Sequence, residues 1–140
     1  MRILIVDDSK VISKRLEESL VDIKGIEVAA IAEDGLQALT EFTNIKPELV
    51  ILDLMIPKMN GLDVLRKIRL QNDEVSIIVL TNYNQSYFKD LCASLGADYF
   101  LDKSAEFEKV YQICFNILNP DSDQNTDYLL LNNKKKVKHG

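Results

Sequence analysis

The chain has 140 residues, 46% of them hydrophobic and 28% charged, with a formal net charge of −5. That apolar share is too high for a disordered chain, and the length suits one domain of about 100–200 residues. The last 22 residues carry four lysines against three aspartates, so the acid surplus, −6, lies in residues 1–118. An acidic body argues against nucleic acid as the main ligand, because phosphate neutralisation needs clustered Lys and Arg.

The chain opens with MRILIVDD, and residues 2–6 read as a first strand. The apolar stretch is too short for a signal peptide and acids follow at once, so a cytoplasmic location is expected. A helix over about residues 9–24 comes next, with Ile12, Leu16, Leu20 and Ile23 on one stripe and Gly25 at its end. Residues 26–31 form a second strand. Asp34 is placed to cap a second helix, which carries Leu36, Leu39 and Phe42 and stops before Pro47. Residues 49–52 (LVIL) are continuously apolar, as a strand covered on both faces must be. Leu62, Leu65 and Ile68 mark a third helix; residues 75–80 are a fourth strand, 85–95 a fourth helix and 97–101 a fifth strand. The last helix runs from about Ser104, with Phe107, Val110, Cys114 and Ile117 inward. Apolar runs such as 3–6, 49–52 and 77–80 are four residues long, far below the ~20 of a membrane span, so no membrane insertion is expected. Cys92 and Cys114 are too far apart for a close-spaced thiolate metal site and read as buried thiols.

Five repeats of strand then helix imply a doubly wound α/β fold: one five-stranded parallel sheet with helices on both faces. In such sheets ligands bind outside the carboxyl ends of the strands. The residues at those ends are Asp7 and Asp8, Asp53, Thr81, and Lys103 just beyond the fifth strand. If the first and third strands are neighbours, three carboxylates converge. Two such charges ~4 Å apart repel by ~4 kcal/mol at an effective dielectric near 20, so the cluster needs counter-charge. Lys103 supplies one, and Mg²⁺, which prefers carboxylate and water oxygens, is the natural second. A carboxylate so placed can attack phosphorus, with a hydroxyl (Thr81) and an ammonium (Lys103) on the phosphoryl oxygens. Asp53, central among the strands, is the candidate nucleophile.

The segments ILIVDDS (3–9), EDGLQAL (33–39), LVILDLMIPKMNGLDVLRKIR (49–69), IIVLTN (77–82) and GADYFLDK (96–103) carry a specific resemblance. Over residues 1–118 the chain resembles the receiver domain of two-component response regulators, the CheY-like family. The resemblance implies the flavodoxin-like strand order 2-1-3-4-5 in a three-layer sandwich. It implies that Asp53 takes a phosphoryl group from a histidine kinase or a histidine phosphotransfer protein. Catalysis of that transfer is the domain's own, with Thr81 and Lys103 assisting, and the protein is not otherwise an enzyme. Asp8, Asp53 and the Met55 carbonyl would hold Mg²⁺ directly and Asp7 mainly through water. Thr81 and Phe100 would be the switch pair, and output would pass through the face of the fourth helix, fifth strand and fifth helix. On that face Tyr87, Tyr99 and Tyr111 are the expected partner contacts.

Four positions depart from the family pattern. Ser104 replaces the usual proline after the lysine and is instead a candidate cap for the last helix. Asn82 stands where a small residue is usual. Met55 and Tyr83 hold the two positions that influence attack by water, and neither is acidic or amide-bearing, so a long-lived phosphorylated form is expected. Residues 119–140 read as a polar tail with an apolar island, YLLL, at 128–131 and a lysine run after it. The island either stays in the tail or docks back on the domain. Twenty-two residues cannot form an output module, so a stand-alone receiver leads. A receiver-shaped scaffold that is never phosphorylated and the N-terminal receiver of a larger DNA-binding regulator are the alternatives. Met55, standing where a haloacid-dehalogenase-type hydrolase has a second aspartate, disfavours that enzyme class.

Overall fold

A computed structural model describes residues 1–121 and 130–131. Five parallel strands, β1 (Arg2–Val6), β2 (Glu27–Ala32), β3 (Leu49–Leu52), β4 (Ser76–Thr81) and β5 (Tyr99–Asp102), form one sheet in the order β2-β1-β3-β4-β5. Between them run α1 (Lys10–Leu20), α2 (Gly35–Ile45), α3 (Gly61–Gln71) and α4 (Ser86–Ser94), and α5 (Lys109–Leu118) follows β5. Strand alternation splits the core into two layers. Ile3, Ile5, Leu49, Ile51, Ile78 and Leu80 face α1 and α5, meeting Leu16, Leu20, Val110 and Ile113. Leu4, Val6, Val50, Leu52, Ile77 and Val79 face α2, α3 and α4, meeting Phe42, Leu65, Ile68 and Cys92. Each such side chain, fully buried, contributes about 1.5–3 kcal/mol, which makes the sheet a rigid platform for whatever its rim carries.

Several boundaries and faces differ from the sequence reading. α1 ends at Leu20, because tight turns (Ile23 N–H to Leu20 O, Ile26 N–H to Ile23 O) take the chain through Gly25 at φ +96°. Ile23 is still buried, but from that turn. Leu36, on the second helix, faces solvent. Ser104 caps nothing: α5 begins five residues later, at Lys109. The Asp102 carboxylate accepts the Ser104 N–H at 2.8 Å, while Glu106 accepts the Asp102 N–H at 3.0 Å. Asp102, not Ser104, therefore organises the turn before the helix. Tyr99 is 9% exposed and packs on the α1/α5 side of the sheet, so it is core rather than a partner contact; Tyr87 and Tyr111 are exposed. Among the described residues no helix is long and apolar enough to cross a membrane. Of the tail, residues 122–129 and 132–140, including the lysine run, lie outside the described residues, whereas Leu130 and Leu131 rest on the domain.

Candidate functional site

Strand register places the acids. Val6 pairs with Leu52, and each is followed by an aspartate, so Asp7 and Asp53 leave adjacent strands at one level of the carboxyl rim. Asp7 N–H bonds to Ala32 O and Asp53 N–H to Val6 O, both at 3.0 Å, which continues the ladder one step and fixes both backbones. Ser9 caps α1 through the Ile12 N–H, and its own N–H donates to Asp7 Oδ1 at 2.8 Å. Oxygens of Asp7, Asp8 and Asp53 lie within 4.8 Å of one another; Asp7 and Asp53 are buried and Asp8 is exposed. Carboxylates 46 residues apart in the chain thus share one small volume.

Lys103 closes the group from the far side of the rim. Its N–H bonds to Thr81 O at 2.9 Å, and its Nζ lies 2.7 Å from Asp7 Oδ2 and 2.8 Å from Asp53 Oδ2. Burial pushes the Asp7 pKa above the ordinary carboxylate value, more than the Lys103 hydrogen bond lowers it. Burial also works against the Lys103 ammonium, but hydrogen bonds and charge from Asp53 and Asp7 outweigh it and raise the lysine pKa. Both pKa values rise, which disfavours the charged form of Asp7 and favours that of Lys103. The lysine is therefore the better satisfied partner. With all three acids ionised, the set carries a formal surplus of two negative charges over Lys103. Hard oxygen donors with that surplus fit a small dication.

Thr81 is fully buried at the end of β4, and its hydroxyl accepts the Tyr83 N–H at 3.2 Å. Phe100 is half-buried against the α2–α4 layer. The Met55 side chain is exposed, and its N–H donates to Asp53 Oδ1 at 3.2 Å. Tyr83 stacks on Phe88 with ring centroids 5.1 Å apart. The structure thus gathers Asp7, Asp8, Asp53 and Lys103 directly, and sets Thr81, Met55 and Phe100 on the loops and strands around them.

Three supports escaped the sequence reading. Gly61 N–H bonds to Leu54 O, and a Cβ there would stand 2.5 Å from Asp53 O and from Leu54 Cα, so only glycine lets α3 start against the backbone that carries Asp53. Asn84 Nδ2 donates to Asp102 at 2.7 Å, and Ser104 Oγ to Asn82 at 3.3 Å; together they tie the loop after β4 to the loop after β5. The Asn-Gly pair at 60–61 was a visible turn signal. The two cross-loop bonds had no local signal, since each joins residues about 20 apart in sequence.

A doubly wound parallel sheet with an acid–lysine cluster at its carboxyl rim defines the class of protein: an α/β domain whose polar site lies outside the carboxyl ends of its strands. The chain belongs to the response regulator receiver domain family, whose profile matches residues 3–114. Response regulator MprA from Mycobacterium sp. strain KMS is 36% identical over 110 residues, covering 79% of this chain and 47% of MprA. The chain therefore spans about half the length of the curated relatives it matches. Among solved structures, the CheX-CheY-BeF3-Mg+2 complex from Borrelia burgdorferi contains a similar chain (TM-score 0.77, 27% identity, covering 84% of this chain and 89% of that one). The Mn(2+)-bound form of response regulator Rcp1 is also similar (TM-score 0.69, 26% identity, covering 89% and 96%).

Proposed function

We propose that this receiver domain is phosphorylated on Asp53 and signals through the changed conformation of its rim. The observation that carries the reading is the Lys103 ammonium held 2.7 and 2.8 Å from Asp7 and Asp53, with Asp8 in the same cluster. The donor is a phosphohistidine on a histidine kinase or a histidine phosphotransfer protein. A carboxylate oxygen of Asp53 forms the new bond to phosphorus as the nitrogen–phosphorus bond breaks, and the departing imidazole keeps the electron pair and takes up a proton. Lys103 exchanges its contact with the Asp53 oxygen for one with a phosphoryl oxygen, and Thr81 releases the Tyr83 N–H to donate its hydroxyl to another. Asp8, Asp53 and the Met55 carbonyl would hold Mg²⁺, with Asp7 acting through water; the ion supplies neutralisation of charge at the acid cluster. Movement of Thr81 leaves space that Phe100 follows inward. The exposed Tyr87 and Tyr111 make the face of α4, β5 and α5 the route to an output partner.

Neither Met55 nor Tyr83 offers an acid or amide to orient water, and the Tyr83 ring is held by Phe88, which supports slow loss of the phosphoryl group. Incubation with acetyl phosphate and Mg²⁺ followed by intact-mass measurement tests the reading. Gain of one phosphoryl group is expected in the native chain and none in Asp53→Asn. No gain overturns it and favours a receiver-shaped scaffold that is never phosphorylated; a gain that survives Asp53→Asn overturns the assignment of Asp53 as the acceptor. The length of the curated relatives supports a second architecture, in which residues 1–118 are the receiver of a longer regulator; the same chemistry then feeds a covalently attached output domain.

A further inference from the structure

Thr81 leads into the loop after β4, residues 82–85, and Lys103 opens the loop after β5, residues 103–108. Three consecutive residues of the first loop are held. The Asn82 side-chain oxygen accepts the Ser104 hydroxyl at 3.3 Å, the Tyr83 N–H donates to Thr81 Oγ1 at 3.2 Å, and Asn84 Nδ2 donates to Asp102 Oδ2 at 2.7 Å. The last is the shortest and has an ionised acceptor, so it is the strongest of the three. Its anchor is firm. The other Asp102 oxygen accepts the Ser104 N–H at 2.8 Å, the Asp102 N–H donates to Glu106 at 3.0 Å, and the next residue, Lys103, bonds through its N–H to Thr81 O. Asn84 first, then the Ser104 N–H, holds the Asp102 carboxyl below its ordinary value, so the acceptor is an anion at neutral pH. When the Thr81 hydroxyl turns toward a phosphoryl group, the Tyr83 N–H loses its acceptor. With Asn82 and Asn84 pinned on either side, the loop is held from swinging to give that half-buried N–H a new partner.

We propose that Asn84 is a positioning residue for phosphoryl transfer: through Asp102 it latches the loop after β4 to the lysine loop and so holds the Thr81 hydroxyl on the Tyr83 N–H. The proposal rests on phosphorylation of Asp53, the event that draws the hydroxyl over. Opening a latch of one side-chain hydrogen bond shifts the population toward the turned form by about two- to tenfold. The same loop carries the Tyr83 ring, stacked on Phe88, and Phe88 meets the exposed Tyr87 edge-on at 5.2 Å, so release of the latch reaches the face of α4.

Hydrogen exchange of the Tyr83 amide reads the latch in the full, unphosphorylated chain. Asn84 bonds Asp102 rather than that amide, yet Asn84→Ala should speed its exchange by about two- to tenfold. Asn84→Asp is isosteric and sets a second carboxylate against Asp102, so it should speed exchange at least as much. Asn84 is exposed, so the core is untouched and the amides of β1 and β3 should keep their native rates. In the same variants the initial rate of phosphoryl gain from acetyl phosphate and Mg²⁺ should rise by a matching factor, which the loosening of a merely structural loop would not produce. A native chain that gains no phosphoryl group overturns the functional reading, and this proposal with it. In a chain that is phosphorylated, an unchanged Tyr83 amide in both variants, or a freed amide without faster gain, overturns the latch alone.

Discussion

Among the described residues, two buried ionic groups sit at opposite ends of the sheet, and they differ in charge balance. At the amino end, Asp98 is fully buried and meets Arg69 Nη2 at 3.0 Å, while its Oδ2 also accepts the Ile77 N–H at 2.8 Å. Arg69 spends its remaining donors on the Gly96 and Asn72 carbonyls. One buried acid faces one base, with Asp73 adding a weaker charge interaction and backbone groups taking up further bonds. At the carboxyl end, three acids face Lys103, and the lysine is already divided between two of them. A balanced buried pair fixes structure: Arg69 locks α3 to the segment leading into β5. A surplus of like charge costs stability and persists where a ligand or a reaction uses it. The buried thiols make the same contrast. Burial alone raises Cys92 to about 11 and Cys114 to about 12, which leaves both inert core fillers.

This comparison breaks most sharply at Asp98. Asp98→Ala leaves Arg69 buried without its acid, and unfolding in urea should show a loss of about 3–5 kcal/mol. Phosphoryl gain per folded molecule should stay at the native level. A loss of phosphorylation in molecules that remain folded would show that the two ends are not separate devices.

Next in size is the response to Mg²⁺. At a hundredfold excess over its dissociation constant, a ligand that binds only the native state adds about 2.7 kcal/mol to unfolding. The native chain and the folded fraction of Asp98→Ala should both gain in this way. Asp8→Asn should weaken Mg²⁺ binding at least about tenfold, equivalent to about 1.4 kcal/mol, measured by calorimetric titration. Equal Mg²⁺ affinity in Asp8→Asn and the native chain would remove the dication from the account.

The smallest effect is in pH dependence without Mg²⁺. Asp7 has a higher pKa folded than unfolded, so the native state binds its proton more tightly, and Asp7 lowers stability as pH climbs from its ordinary 3.8 through the raised value. Asp7→Asn lacks this titration. The stability of the variant relative to the native chain should therefore improve as pH rises through that window. Lys103 contributes with the same sign in a far higher window: its raised pKa keeps its stabilisation intact below 10.5 and loses it as pH climbs through the raised value. A flat difference between Asp7→Asn and the native chain across the acid range would place Asp7 in an ordinary, solvated setting.

Much of this was legible from residue order. Alternating apolar runs specify five strands and five helices, Asp34 caps α2 by accepting the Gln37 N–H, and the LVIL run is a strand buried on both faces. The acids, the threonine and the lysine could all be named from strand ends, because strand ends are local features. Helix boundaries were less legible where side chains compete for backbone groups. Asp102 captures the Ser104 N–H and delays α5, although Ser104 looked like its cap. Which face a residue takes was likewise decided by packing, so Leu36 is exposed and Tyr99 buried.

Local periodicity and composition by themselves determined the layered α/β class, the cast of reactive side chains and the resemblance those residues carry. Only the tertiary structure decided that Lys103 spans Asp7 and Asp53, that Arg69 answers Asp98 from 29 positions away, and that the Leu131 N–H reaches the Asp98 carbonyl oxygen. Hydrophobic pattern is a short-range property of the chain. Charge neutralisation depends on distances through space, which exist only once the order of the strands is set.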